Sequence, residues 1–178
     1  MNRFISVELS EHGDESHQSE NWRKIGCRLR DPDVPALAVT IVTATGTYVA
    51  VASALPHALL NTGGVDEHLA VDLDAGRAQS QLDCADVLHG SRPRPTAEAL
   101  RRLTAVTAAH RGCLLAAIPL IGGGWAVMTG EDRCLVTCRT RRGSTRAEQS
   151  LFPSCIHAWL VAGHSLRELE SATVVLHS

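Results

Sequence analysis

The chain has 178 residues, of which 44% are hydrophobic, 20% charged and 3% aromatic, with a net charge of −2. A chain of this length buries roughly 70% of its unfolded surface, so neither wholesale disorder nor dependence on a metal or disulfide staple fits it. Fourteen glycines and seven prolines exclude collagen-like or low-complexity character.

The first predicted strand is short, with Ile5, Val7 and Leu9 alternating with Ser6 and Glu8. Glu11 to Glu20 contains no apolar residue and reads as a solvated loop or mobile polar arm. Order is expected to resume at Trp22, where Ile25, Cys27 and Leu29 alternate with charged neighbours, until Arg30–Pro35 breaks the strand. A hairpin follows, Leu37–Thr43 and Thr47–Ser53, with Thr45-Gly46 as its turn and many β-branched residues in its arms. Beyond a Pro56-His57 corner and an Asn61–Gly64 turn, Glu67–Leu73 alternates as a further strand. Residues 75–94 carry no clear period, and Ser91–Pro95 reads as an extended linker.

The spacing of Leu100, Leu103, Thr107 and His110 predicts a helix over 96–110. Three strands in meander are expected next, Cys113–Leu120, Trp125–Thr129 and Arg133–Thr140, joined at Gly122–Gly124 and Gly130–Asp132. Capping-box patterns at Thr145–Glu148 and Ser165–Glu168 flank an apolar helix over Cys155–Ala162 that ends at Gly163. Thr173–Leu176 closes the chain as a last strand. These elements predict an α+β fold: a mostly antiparallel sheet of about seven short strands, with the 96–110 helix and the C-terminal helices packed on one side. A parallel, doubly wound sheet is disfavoured because the strands follow one another through short turns. Residues 1–21 form a short strand plus polar arm and 22–178 a single domain, with Trp22, Trp125 and Trp159 as core anchors.

The longest apolar run, Cys113–Ile121, is far shorter than the about 20 residues of a membrane-spanning helix. The N-terminus lacks the apolar centre of a signal peptide. The six cysteines therefore read as reduced thiols in a cytoplasmic protein. Sixteen arginines against the single Lys24, with abundant alanine, fit a GC-rich bacterial genome.

Candidate chemistry is sparse. Cys155, His157 and His164 bring a thiol and two imidazoles close in sequence, the groups of a nucleophilic cysteine and its base. Residues two apart on a helix point about 200° away from each other, however, so packing beside Trp159 is the favoured role of Cys155. Cys134 and Cys138 fall in one predicted strand, about 13 Å apart, too far to share an ion. No metal and no cofactor is predicted. Gly122–Gly124 leads into a strand, whereas a phosphate-cradling glycine loop opens a helix. Asp66, Glu67, His68, Asp72 and Asp74 form the densest acidic cluster, read as a solvated edge in preference to an acid–base pair or oxygen-ligand metal site.

Charge is the strongest functional signal. Residues 1–89 carry 6 basic and 13 acidic side chains, a net of −7, and residues 90–147 carry 10 basic and 3 acidic, a net of +7. Nucleic-acid binding through Arg92, Arg94, Arg101, Arg102, Arg111, Arg139, Arg141, Arg142 and Arg146 is disfavoured, because no stacking aromatics interleave with them. The favoured expectation is a regulatory, non-enzymatic protein-binding module, of the antitoxin, immunity or chaperone-like kind. Arg101, Arg102, Arg139, Arg141 and Arg142 would meet an acidic protein surface. The alternative is a small-molecule sensor or enzyme whose site is the Cys/His-rich C-terminal part.

Overall fold

The structure, a computed structural model, describes residues 4–12, 36–55, 59–61, 67–76, 79–130, 132–140 and 151–177, with side chains over 39–50, 70–76, 79–130, 132–137 and 151–176. The fold is α+β. Eleven strands join in one hydrogen-bonded order: β1 (Phe4–His12), β2 (Ala36–Val42), β3 (Thr47–Leu55), β4 (Leu59–Asn61), β5 (Glu67–Asp72), β6 (Val87–His89), β7 (Leu115–Pro119), β8 (Trp125–Met128), β9 (Arg133–Val136), β10 (Cys138–Thr140) and β11 (Thr173–His177). Their spatial order is β10-β11-β2-β3-β1-β4-β5-β6-β7-β8-β9. Its two ends are separated in the chain by Thr137 alone, so the sheet curls round on itself. Four helices are described: α1 (Gln79–Asp83), α2 (Thr96–Ala109), α3 (Phe152–Val161) and α4 (Leu166–Glu170).

The hairpin of β2 and β3 forms where its β-branched arms predict it, closed by the Thr43 N–H bonding Gly46 O at 2.9 Å. Strand β1 is longer than Ile5–Leu9 and lies between β3 and β4, antiparallel to the first and parallel to the second. The polar residues 13–21, the predicted strand around Cys27 with Trp22, the Arg30–Pro35 break, the Asn61–Gly64 turn and the Thr145–Glu148 capping box lie wholly or partly outside the described residues.

Two expectations are corrected and one is refined. Among the described residues the strands number eleven, not about seven, because three-residue pieces such as β4 and β6 are too short to show a period. The sheet is mostly antiparallel as expected, in six of its ten strand pairings, but β5, β6 and β7 run parallel in a β-α-β-α-β unit with α1 and α2 in its crossovers. The helices do not share a side. Along β7, Leu115 and Ala117 pack with Phe152, Ile156 and Trp159 of α3, whereas Ala116 and Ile118 pack with Ala99 and Leu103 of α2. Alternation along the strand thus places α2 and α3 on opposite faces.

Helix α3 is the centre of the larger core. It carries no charged residue, and Phe152–Trp159 are all buried, as an all-round apolar helix requires. Pro153 sits in its first turn, where a missing N–H costs nothing. Trp159 is fully buried and donates its indole N–H to Ser165 O at 2.9 Å, and Trp125 packs on Phe152 with ring centroids 5.3 Å apart. The capping box predicted at Ser165 and Glu168 is formed and opens α4.

Candidate functional site

Polar groups converge at the carboxyl ends of the parallel strands, where α/β units offer a crevice to ligands. The chain leaves β5 through a tight turn in which Asp72 Oδ1 accepts the Asp74 N–H at 2.8 Å. That turn carries the Asp74 carboxylate beneath the loop following β6. Its Oδ2 accepts the backbone N–H groups of Ser91 at 2.9 Å and Arg92 at 3.0 Å. Its Oδ1 faces Arg102 Nη1 at 3.0 Å and Arg94 Nη2 at 3.2 Å. Gly90 permits the approach, since a Cβ there would lie 3.3 Å from Oδ2. Arg102 also donates to Leu73 O at 3.1 Å, and Arg94 reaches Glu98 one turn into α2.

The Asp74 side chain is only 4% exposed, which corrects the solvated-edge reading at this position. Burial pushes its carboxyl upward, but the Arg92 N–H, the Arg102 charge, the Arg94 hydrogen bond and the Ser91 N–H outweigh burial and hold it below its ordinary value. A carboxylate that accepts three hydrogen bonds and faces a second guanidinium at 3.0 Å is poorly placed to abstract a proton. It is a tie between two loops and a neutraliser of two arginines. Beside it, burial holds the His89 imidazole below its ordinary pKa, against the raising charges of Asp72 and Asp74. His89 Nδ1 and Arg94 Nε are buried with no hydrogen-bond partner among the described residues.

The remaining arginines of the basic stretch fare differently. Arg92, Arg101, Arg111 and Arg133 are exposed and make no ion pair among the described residues. All four belong to the α2 layer: Arg92 precedes the helix, Arg101 lies on it and Arg111 follows it. Arg133 stands opposite Met128, whose side chain packs beneath α2, so it projects to that same face. A groove of about 480 Å³ crosses β9 beside them, lined by Leu100, Arg133, Cys134, Leu135 and Glu170. Leu135 is 46% exposed, whereas Cys134 is buried and its thiol is pushed up to about 11 by burial and the Glu170 charge.

Of the predicted Cys/His group, two members are buried and His164 is partly exposed. Cys155 and His157 are interior residues of α3, 0% and 1% exposed. His164 lies at the corner between α3 and α4, stacked on Trp159 at a centroid distance of 4.0 Å and edge-on to Tyr48 at 4.7 Å. Its Nδ1 is 3.5 Å from Glu168 Oε2. These contacts pack the α3–α4 turn onto β3. Of the predicted binding arginines, Arg101 is exposed and Arg102 is tied to Asp74. Arg139 pairs with Val175 through the β10–β11 ladder, and Arg141 and Arg142 lie outside the described residues.

Sequence reasoning missed Asp74 as a buried node, since its partners lie 17 residues and more downstream. It also missed the 2.9 Å pair of His110 Nδ1 with Asp83 Oδ1, which clips the end of α2 to α1. Among the described residues no three His, Cys, Asp or Glu side chains are grouped to hold a metal ion. No helix among them is long and apolar enough to cross a membrane. No family model, curated protein or solved structure matches the chain.

Proposed function

We propose that the chain is a non-enzymatic protein-binding module whose α2 layer receives an acidic surface of another protein. The observation that carries this reading is the division of the arginines. Asp74 and Glu98 occupy Arg94 and Arg102, while Arg92, Arg101 and Arg111 stay exposed around one helix. Exposed like charges on one layer give a field that steers an oppositely charged partner and contribute little to holding the fold.

The test uses a partner captured from the native host and surface plasmon resonance across a salt series. The reach of the field shrinks from about 30 Å at 0.01 M salt to about 8 Å at physiological strength. Association should therefore slow by about tenfold or more over that range, while dissociation changes little. Reversing Arg101 and Arg111 to Glu should slow association again and leave thermal stability near that of the wild type. An association rate indifferent to both salt and reversal would overturn the reading.

A further inference from the structure

The groove across β9 has a composition that an acidic partner does not explain. Among the described residues, β9 is the last strand of the sheet order. Its side chains alternate: Arg133 and Leu135 stand opposite Met128 and Ala126 on the α2 face, while Cys134 and Val136 pack with Leu166 and Leu169 on the α4 face. A groove touched by Leu100 of α2 and by Glu170 of α4 therefore passes over the end of the sheet from one face to the other. Leu135, 46% exposed, lies within it, with a cation on the α2 side and an anion on the α4 side. Arg133 and Glu170 pair neither with each other nor with any other described residue.

We infer that this groove seats a second copy of the chain, the two copies meeting across β9 about a two-fold axis. A two-fold contact is made by one patch with itself, so the patch must be self-complementary. A patch with an apolar middle and one charge of each sign on opposite sides meets that condition. The axis places each Arg133 against the other copy's Glu170, while Leu135 and Leu100 cover their counterparts. A uniformly acidic occupant would satisfy Arg133 and be repelled by Glu170, whereas a second copy satisfies both.

The experiment measures the mass of the full chain in solution by light scattering and sedimentation at micromolar concentrations. The wild type is expected to be a dimer and Leu135→Glu a monomer with an unchanged circular-dichroism spectrum. Arg133→Glu alone and Glu170→Arg alone should each weaken association about tenfold or more, because every copy then presents like charges to its counterpart. Mixing those two variants restores attraction at both contacts, so their equimolar mixture should form a heterodimer. The double variant R133E/E170R should form a dimer again. A wild type that stays monomeric, a dimer indifferent to Leu135→Glu, or single variants that mixing does not rescue would each overturn the inference. None of these measurements involves the acidic partner, so the two proposals stand or fall separately.

Discussion

Replacing Asp74 by Asn should destabilise the fold far more than a polar substitution in a loop ordinarily does. The side chain is 4% exposed, accepts from two backbone N–H groups and the Arg94 guanidinium, and is ion-paired with Arg102. Asn keeps one oxygen, but its amide group presents hydrogens to donors and its charge is gone. Breaking a buried ion pair costs about 3–5 kcal/mol. Arg94 and Arg102 keep 22% and 28% exposure, however, and regain water when released, so about 2–4 kcal/mol is the reasonable expectation. For a chain of this size that is a fall of about 5–15 °C in the melting temperature. The effect also carries a pH signature. Because the folded Asp74 carboxyl titrates below its ordinary value, its contribution is complete above that value of 3.8 and is lost as pH falls through the lower folded one. Urea denaturation followed by circular dichroism should show a wide gap between wild type and Asp74→Asn at pH 7 that narrows toward pH 3. A gap below about 1 kcal/mol at pH 7, or one that does not change with pH, would refute this account of Asp74.

Three further outcomes are expected. Gly124 has φ +83° and a Cβ there would lie 2.5 Å from Val136 O, so Gly124→Ala should combine left-handed strain of about 1–2 kcal/mol with a backbone clash. Gly123→Ala, at φ +102° but in open space, should show the strain alone, and equal melting temperatures for the pair would contradict this. Burial lowers the folded pKa of His89 from 6.5, so the wild type should lose stability as pH falls below 6.5 and level off beneath the folded value. His89→Gln should lose less between pH 7.5 and 5.5, and parallel curves would count against buried neutral His89. In alkylation at pH 8 with peptide mapping, exposed Cys84 should react first among Cys84, Cys113, Cys134 and Cys155. Cys134, with its thiol pushed up to about 11, should stay unlabelled until urea is added.

What could be read from the sequence was local. The 96–110 stripe became α2, the Thr45-Gly46 hairpin became β2 and β3, and the charge-free stretch around Cys155 became the buried helix α3. Each rests on a period or a turn within about a dozen residues, which side-chain spacing alone reports. What could not be read depends on distant pairing. Three-residue strands such as β4 and β6 take their extended form from neighbours, and the parallel unit arises because α1 and α2 carry the chain back across the sheet. The Arg133–Thr140 strand divides at Thr137 because its two halves find partners at opposite ends of the sheet order, β8 and β11. No feature of the residues themselves marks that point.

The charge map shows the same limit in electrostatic form. A net of −7 over residues 1–89 and +7 over residues 90–147 treats every side chain as equally available. Folding sorts them. Asp74, from the acidic stretch, takes up Arg94 and Arg102 of the basic one, because the end of β5 delivers it beneath the loop after β6. Arg101 is the sequence neighbour of Arg102, yet one step along a helix turns a side chain by about 100°, and it faces solvent instead. Two adjacent arginines thus divide between holding the fold and facing outward. The consequence for mutation is specific: reversing Arg102 should behave as a stability change, reversing Arg101 as a change in association. A pattern of residues that ignores helical phase would assign both the same role.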